Sequence, residues 1–464
     1  MEFNCNICEK RFATSWDLKR HFSSKIHLNK FNEEQKELIY KLLDLQNNKI
    51  KSLRCNSAGG CGKTFTISNN TIDSEMLYIA PSNTACKILR NSGLKNVMTF
   101  AKAFGWSMDV DENGSIVNIY DENEFKFKSS KYIVIDEISM LNNFAFSLFK
   151  HYIDGKIPYI LLGDKYQLLP INNDNTEIPK EVSIIQPSKN NISLFFEHKV
   201  DCEIKLFKNM RSTNKITSDL INYTREKTIN NEKIFIEPNE KFCDELLNKL
   251  HTMDFIFLSY TNAIVDILNI QIRNKLFPSN NEWNVGEKII VQKTTKAELV
   301  FKLKWSHEYI YTGDIYTITN ISIVDKYFDD QIYKCYVLEL DKKYLLTKMS
   351  NQDILRFQKN VKNYLNEIKE EKNIDIKKKL YKDFYFNQLP NLNSNINFCY
   401  ALTVHKSQGS TFSNVFIVQD DFNADRTLFS KNRLFYTAIS RAKNNVFILS
   451  NKVNGKGNMR KLEF

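Results

Sequence analysis

Residues Ser57-Ala58-Gly59-Gly60-Cys61-Gly62-Lys63-Thr64 have the composition of a phosphate cradle. Glycines let backbone N–H groups close around phosphate oxygens, and a following helix N-terminus adds positive potential. Lys63 reaches the outer phosphates and the Thr64 hydroxyl can ligate magnesium. Such a loop usually opens with glycine; here Ser57 stands first and the Gly-Lys-Thr core is intact. Taken alone, the stretch also suits an ordinary glycine-rich loop. Further along, the apolar run Tyr132 to Ile135 delivers Asp136 and Glu137 at its end. Asp136 can hold magnesium through water and Glu137 can polarise the attacking water, the two tasks of a phosphoanhydride hydrolase. A third apolar run ends in Asp164 and is followed by Gln167, placed to sense a γ-phosphate. Arg211 by itself reads as a solvated or phosphate-contacting arginine. Near the far end, Gln408 and Gly409 can close on the nucleotide from a second unit. Arg441 suits stabilisation of transition-state charge, worth about 10³ to 10⁵ in rate.

A second chemistry sits at the N-terminus. Cys5-x2-Cys8, then His21 and His27, offer four N and S ligands at the spacing of one tetrahedral zinc. Phe12 and Leu18 fall where so small a unit needs apolar packing, with the cysteines on a hairpin and both histidines on a helix from about Ser15 to His27. The segment resembles the two-Cys, two-His fingers, and its wide His spacing with Ser23-Ser24-Lys25 resembles their matrin-type branch. That resemblance implies contact with double-stranded nucleic acid, often RNA, through Ser15, Trp16, Lys19 and Arg20. A protein-docking or purely structural finger is the alternative.

These side chains need an α/β frame. Asn32 and Gln35 form a capping box that opens a helix with Leu38, Leu42 and Leu43 at helical spacing. Met76 to Ala80 reads as a parallel strand ending in Pro81-Ser82, and ligands bind at such carboxyl ends. Between Trp106 and Tyr120 the turn Asp111-Glu112-Asn113-Gly114 predicts a projecting β-hairpin. Phe255 to Ser259 begins a second α/β unit. Turns at Gly286 and Gly313 separate β-rich runs that predict a small barrel inserted in it. Residues 351 to 387 read as charged, solvated helices. The run from Tyr400 to Thr411 places Thr403 and His405 toward a nucleic-acid strand.

Composition sets the outer bounds. In 464 residues, 65 Lys and Arg against 54 Asp and Glu give a net charge of +11, which favours a polyanionic partner. Nine scattered cysteines fit a reducing compartment. No apolar run nears the roughly 20 residues of a membrane span. The expected setting is intracellular, in nucleus, cytoplasm or a viral replication site, with no membrane role.

In order, Asp136-Glu137-Ile138-Ser139-Met140-Leu141, Gly163-Asp164-x2-Gln167-Leu168-x-Pro170, Thr403-Val404-His405-Lys406-Ser407-Gln408-Gly409 and Tyr436-Thr437-Ala438-Ile439-Ser440-Arg441-Ala442 resemble the superfamily-one helicases. Within them the likeness is to the 5′-to-3′ branch of RecD-like and Dda-like enzymes, over residues 31 to 450. The resemblance implies two RecA-like P-loop NTPase domains with a small SH3-like β-barrel insertion, preceded by a ββα zinc finger. The boundaries expected are 1–29 for the finger, 30–200 for the first domain with a strand-separating pin near 106–125, and 201–464 for the second with its insert near 283–390. It implies Gln35 on adenine, Ser57 to Thr64 around the phosphates, Thr64 and Asp136 on magnesium, and Glu137 as base. Gln167 would be the sensor, with Arg211 and Arg441 on the γ-phosphate. Pro81, Ser82, Thr99, Phe100, Thr403 and His405 would touch the single strand, although Ala101 stands where relatives carry histidine. The function implied is an ATP-, magnesium- and zinc-dependent monomeric motor. It would move 5′ to 3′ on single-stranded and forked DNA in replication, recombination or repair, with protein partners from those processes. An RNA or RNA–DNA hybrid helicase is the rival, and a non-catalytic zinc-finger adaptor is a rival of another class.

Overall fold

The computed structural model describes residues 3–450 apart from 6, 72, 171–181, 183, 184, 186–192, 242, 243 and 301–306. Its first unit is a six-stranded parallel sheet in the order Cys202–Leu206, Ser52–Ser57, Tyr159–Gly163, Tyr132–Ile135, Met76–Ala80, Val97–Thr99. The three apolar runs among these strands are buried along their whole length, as strands covered on both faces must be. The pleat divides them between two cores. Tyr78, Val134 and Ile160 pack on one face with Leu38 and Leu42 of the capped helix Glu33–Gln46, and Ile79, Ile133 and Leu161 on the other with Phe149.

Cys202–Leu206 moves the expected boundary at 200. It pairs in parallel with Ser52–Ser57, Cys202 opposite Leu53 and Leu206 opposite Ser57, and so completes the first sheet. Its Glu203 and Lys205 are exposed while Ile204 and Leu206 are buried, the alternation of an edge strand. Much of 171–192, inside the expected first domain, lies outside the described residues.

A second parallel sheet of five strands runs Glu240–Lys241, Ala442–Ser450, Phe412–Val418, Phe255–Ser259, Ala401–Thr403. Between Phe255–Ser259 and Ala401–Thr403 the chain makes the insert. It is a seven-stranded antiparallel sheet whose order runs open from His307–Ile310 to Ile396–Phe398, a half-barrel in the place where a small barrel was expected. Helices Asn351–Glu370 and Ile374–Asp383 stand on it, with Phe357 and Phe384 packed against Phe328 and Tyr333.

The predicted pin is an antiparallel hairpin, Phe104–Val110 with Ile116–Phe125. The insert's helices clasp it. Lys382 Nζ lies 2.7 Å from Asp109 Oδ1, and Val110, Ile368 and Tyr381 form a small core. Gly114, at φ +81°, lies so close to Tyr381 that a Cβ there would meet its ring at 2.8 Å.

At the N-terminus, strands Phe3–Cys5 and Lys10–Phe12 pair and lead into helix Ser15–Phe22. The single helix expected to His27 is broken. Ser23 ends the first helix, and Ser24 caps a second, Lys25–Leu28, by accepting the His27 N–H at 3.4 Å. Serine hydroxyls compete for backbone groups in this way. Cys5, Leu18 and Phe22 pack with Leu43 of the capped helix, so this unit is docked on the first domain.

Candidate functional site

The strand Ser52–Ser57 turns at Ala58 to Gly62 into helix Lys63–Ser68. Gly60 and Gly62 hold φ +81° and +79°, backbone that side chains rarely adopt. A Cβ on Gly62 would lie 2.7 Å from Gln35 Nε2, and one on Gly60 2.8 Å from the Arg211 side chain. The loop is thus shaped as a cradle whose floor only glycine permits. Lys63 Nζ lies 3.2 Å from Glu137 Oε1 and 3.9 Å from Asp136 Oδ1, and Thr64 Oγ1 donates to Asp136 Oδ2 at 3.4 Å. Gln35 Nε2 donates to the Cys61 carbonyl at 3.4 Å, which puts it on the loop's flank. Around these groups opens a cleft of about 560 Å³ that Arg211 and Gly409 also line.

The charges in the cleft tune one another. Burial works against the Lys63 ammonium, but Glu137 and Asp136 outweigh it and raise its pKa. Burial works against ionised Glu137 too, and Lys63 and Arg441 hold its pKa below the usual value. Asp136 is pushed up to about 6, chiefly by burial and against the pull of Lys63. Burial lowers Arg211 to about 10, with the Arg441 charge adding to the effect, and burial also lowers Arg441. Three cations, Lys63, Arg211 and Arg441, thus gather with Asp136, Glu137 and Asp164 in one enclosed site, the kind of charge cluster that functional sites build. Glu137 holds a left-handed φ of 51° and its Oε2 is buried without a partner, free to accept a proton from water.

The second sheet closes the cleft. Arg211 Nη1 donates to the Ser440 carbonyl at 3.1 Å, and Arg441 Nε donates to the Thr437 carbonyl at 3.1 Å. Gln167 Nε2 reaches Asp164 Oδ2 at 3.4 Å, leaving Oε1 buried and unpaired. Gln408 is buried with its Nε2 unpaired. Sequence reasoning placed Tyr436 in a motif but gave its side chain no role. Its hydroxyl accepts the Gly59 N–H at 3.0 Å and donates to Asp164 Oδ2 at 2.5 Å, joining the second domain to the loop itself. Asn209 was missed; it donates to the Gly59 carbonyl at 3.1 Å and accepts the Arg211 N–H at 2.9 Å.

The expected strand-contacting residues are less uniform. Ser82 caps helix Asn83–Asn91 and Thr99 caps Phe100–Ala103, while Pro81 is half-buried beside Ser82. His405 is half-buried, 6.1 Å from Tyr260 between ring centres, and Thr403 is 5 % exposed with its hydroxyl on the Lys406 N–H. Phe100 is 3 % exposed and its ring stacks on Phe104 at 4.3 Å. A side chain so enclosed positions the loop instead of stacking on a base.

Cys5, Cys8, His21 and His27 bring their ligand atoms within 4.8 Å of one another. Cys5 and Cys8 Sγ each lie 3.4 Å from His27 Nδ1, and His21 Nε2 is buried without a partner. The remaining ring nitrogens are held outside, His21 Nδ1 by Ser24 Oγ at 3.3 Å and His27 Nε2 by Asn70 Oδ1 at 2.7 Å. Burial lowers the pKa of both histidines and so favours the neutral, ligating imidazole. The donor set therefore fits zinc. Asn70 in turn donates to the Thr66 carbonyl at 2.7 Å, on the helix that begins at Lys63.

Fold and cleft define a P-loop ATPase with its site between two parallel-sheet domains. Residues 48–173 match the family model described as an AAA domain, and residues 398–449 match the UvrD-like helicase C-terminal domain. One match covers the cradle and the other faces it, so the chain has the parts of an ATP-dependent helicase. It is similar to uncharacterized protein R530 of Acanthamoeba polyphaga mimivirus, at 24 % identity over 89 % of this chain and 98 % of the relative. It is also similar to the ATP-dependent DNA helicase dda of Enterobacteria phage T4, at 24 % identity over 56 % of this chain and 61 % of the relative. Among solved structures it resembles a Bacteroides Pif1 helicase in complex with ADP-AlF3 and ssDNA. That likeness has a TM-score of 0.48 and 15 % identity, and covers 89 % of this chain and 92 % of that one.

Proposed function

We infer that this chain is an ATP-dependent DNA helicase that moves 5′ to 3′ on single-stranded DNA and unwinds duplex, in replication, recombination or repair. One observation carries the reading: the cradle, Asp136 and Glu137 of the first domain share a cleft with Gly409 of the second, and the Arg441 charge from that second domain acts on Glu137. Lys63 and the loop amides hold the phosphates of ATP, Glu137 accepts the proton of the attacking water, and Arg211 and Arg441 offset charge as it develops. Thr64 and Asp136 would hold magnesium, which would neutralise charge on the phosphate oxygens. Tyr436 and Arg441 let the second domain register what the cradle holds, so hydrolysis alternates closing and opening of the domains along one strand.

The finger's donor set supports zinc at Cys5, Cys8, His21 and His27. Trp16, 64 % exposed with Arg20 over its ring at 5.6 Å, supports a nucleic-acid contact there, while Lys19 is taken up by Glu75 at 3.1 Å. The two viral relatives support a place in viral genome copying, with replication or repair proteins as partners. Among the described residues no helix is long and apolar enough to cross a membrane. The test is unwinding of DNA and RNA duplexes bearing 5′ or 3′ tails. The expected result is ATP-dependent separation of 5′-tailed DNA; exclusive action on RNA, or on 3′ tails, overturns the reading.

A further inference from the structure

Away from the cleft, a second cavity of about 680 Å³ opens between the pin hairpin and the insert, within the about 300 to 1,000 Å³ range of small-ligand pockets. Met108 and Ile116 of the hairpin, both exposed apolar side chains, form one wall. The opposite wall carries Lys293, Lys296 and Lys348 with Tyr309, Tyr385 and Phe386. No carboxylate lines it among the described residues, and none of the three lysines has a carboxylate partner there. Lys348 donates to the Ser394 carbonyl at 3.1 Å and Lys296 to Asn387 Oδ1 at 3.4 Å, so both contacts are to neutral oxygens.

Two further atoms point to a ligand. Thr295 and Asn393 belong to the same lining, and their Oγ1 and Oδ1 atoms lie buried at its edge without hydrogen-bond partners. Thr295 is 6 % exposed. A buried polar atom left unpaired costs about 1 to 3 kcal/mol, which a ligand's polar edge can recover. Lysines without acids select an anion, aromatic rings offer faces to a flat heterocycle, and a hydroxyl with an amide oxygen can meet the edge of that heterocycle.

Resting on the helicase reading above, we propose that this cavity binds one nucleotide of the DNA strand parted at the hairpin. The base enters beside Tyr309, Tyr385 and Phe386 toward Thr295 and Asn393, and its phosphate lies at Lys293 and Lys296. A base held there has left its partner, so the cavity stabilises the opened fork next to the element that parts it.

Binding of a forked duplex and of an unforked single strand is compared by fluorescence anisotropy, with 2-aminopurine placed at successive positions of each strand around the junction. Lys293→Glu and Tyr309→Ala are used because neither side chain is buried and both variants can be checked by melting temperature. The expected result is about tenfold weaker fork binding in each variant, with unforked-strand binding and ATPase stimulation within twofold of the parent. One 2-aminopurine position at the junction is quenched by the parent and not by Tyr309→Ala. Unchanged fork binding overturns the proposal, and so does equal weakening on fork and single strand, which would put the cavity on the translocation track. A mononucleotide that binds there as tightly as the fork also overturns it. If the parent's ATPase ignores single-stranded DNA altogether, it is the helicase reading that fails; fork quenching lost in Tyr309→Ala would still stand by itself.

Discussion

The nucleotide cleft and the N-terminal Cys and His cluster are both buried polar constellations that rest on the first domain, yet they are assembled in opposite ways. The finger draws its four donors from one short stretch, Cys5 to His27, and local turns suffice to bring them together. The cleft and the groups around it draw Lys63, Asp136, Gln167, Arg211 and Arg441 from strand ends and loops spread over both domains, so the set is complete only once both sheets have formed. The lesson is a difference in what each can sense. A local cluster would respond to a metal bound in it, whereas a cluster shared between domains responds to their separation. Asn70, held between His27 and the Thr66 carbonyl, is where the two meet.

Arg441→Ala should give the largest effect, a fall in kcat of about 10³ to 10⁵ with nucleotide binding kept and zinc content unchanged, read by steady-state ATPase and metal analysis. Loss of zinc in that variant would break the separation between the regions. Cys8→Ala should release zinc and lower the melting temperature, because metal binding is part of such a unit's folding free energy. A full complement of zinc in the purified variant removes Cys8 as a ligand. Asn70→Ala leaves His27 Nε2 buried and unpaired, at about 1 to 3 kcal/mol. Its expected signature is weaker zinc retention together with a raised KM for ATP. An unchanged KM would show the finger to be mechanically separate from the cradle. Lys19→Ala, which removes one partly exposed ion pair to Glu75, should change stability by no more than about 1 kcal/mol in denaturant titration. A larger loss would make that pair a principal attachment.

What could be read from the chain followed the same division. Ser57 to Thr64, Asp136-Glu137 and the spaced Cys5, Cys8, His21 and His27 sit close in sequence with types fixed by their chemistry, and the structure brings the first two sets into one cleft and the last into one cluster. Tyr436, Asn209 and Asn70 were not legible, because a tyrosine or asparagine acquires its role only from what the tertiary fold sets opposite it. The edge strand Cys202–Leu206 escaped for a related reason: its partner Ser52–Ser57 is distant in sequence. Phe100 sits next to a capping threonine, as a strand-contacting residue would, but the helix that Thr99 starts turns its ring into the core. The break at Ser23-Ser24 reflects two hydroxyls competing with the helix that carries them.

Glu137 sits in backbone that favours glycine. Its left-handed backbone is a conformation that costs a side-chain-bearing residue about 1 to 2 kcal/mol and glycine almost nothing. Glycine there would relieve the main chain while deleting the carboxylate proposed as base. At this position durability and turnover pull in opposite directions, and a drift toward sturdier variants would tend to silence the motor before it unfolded it.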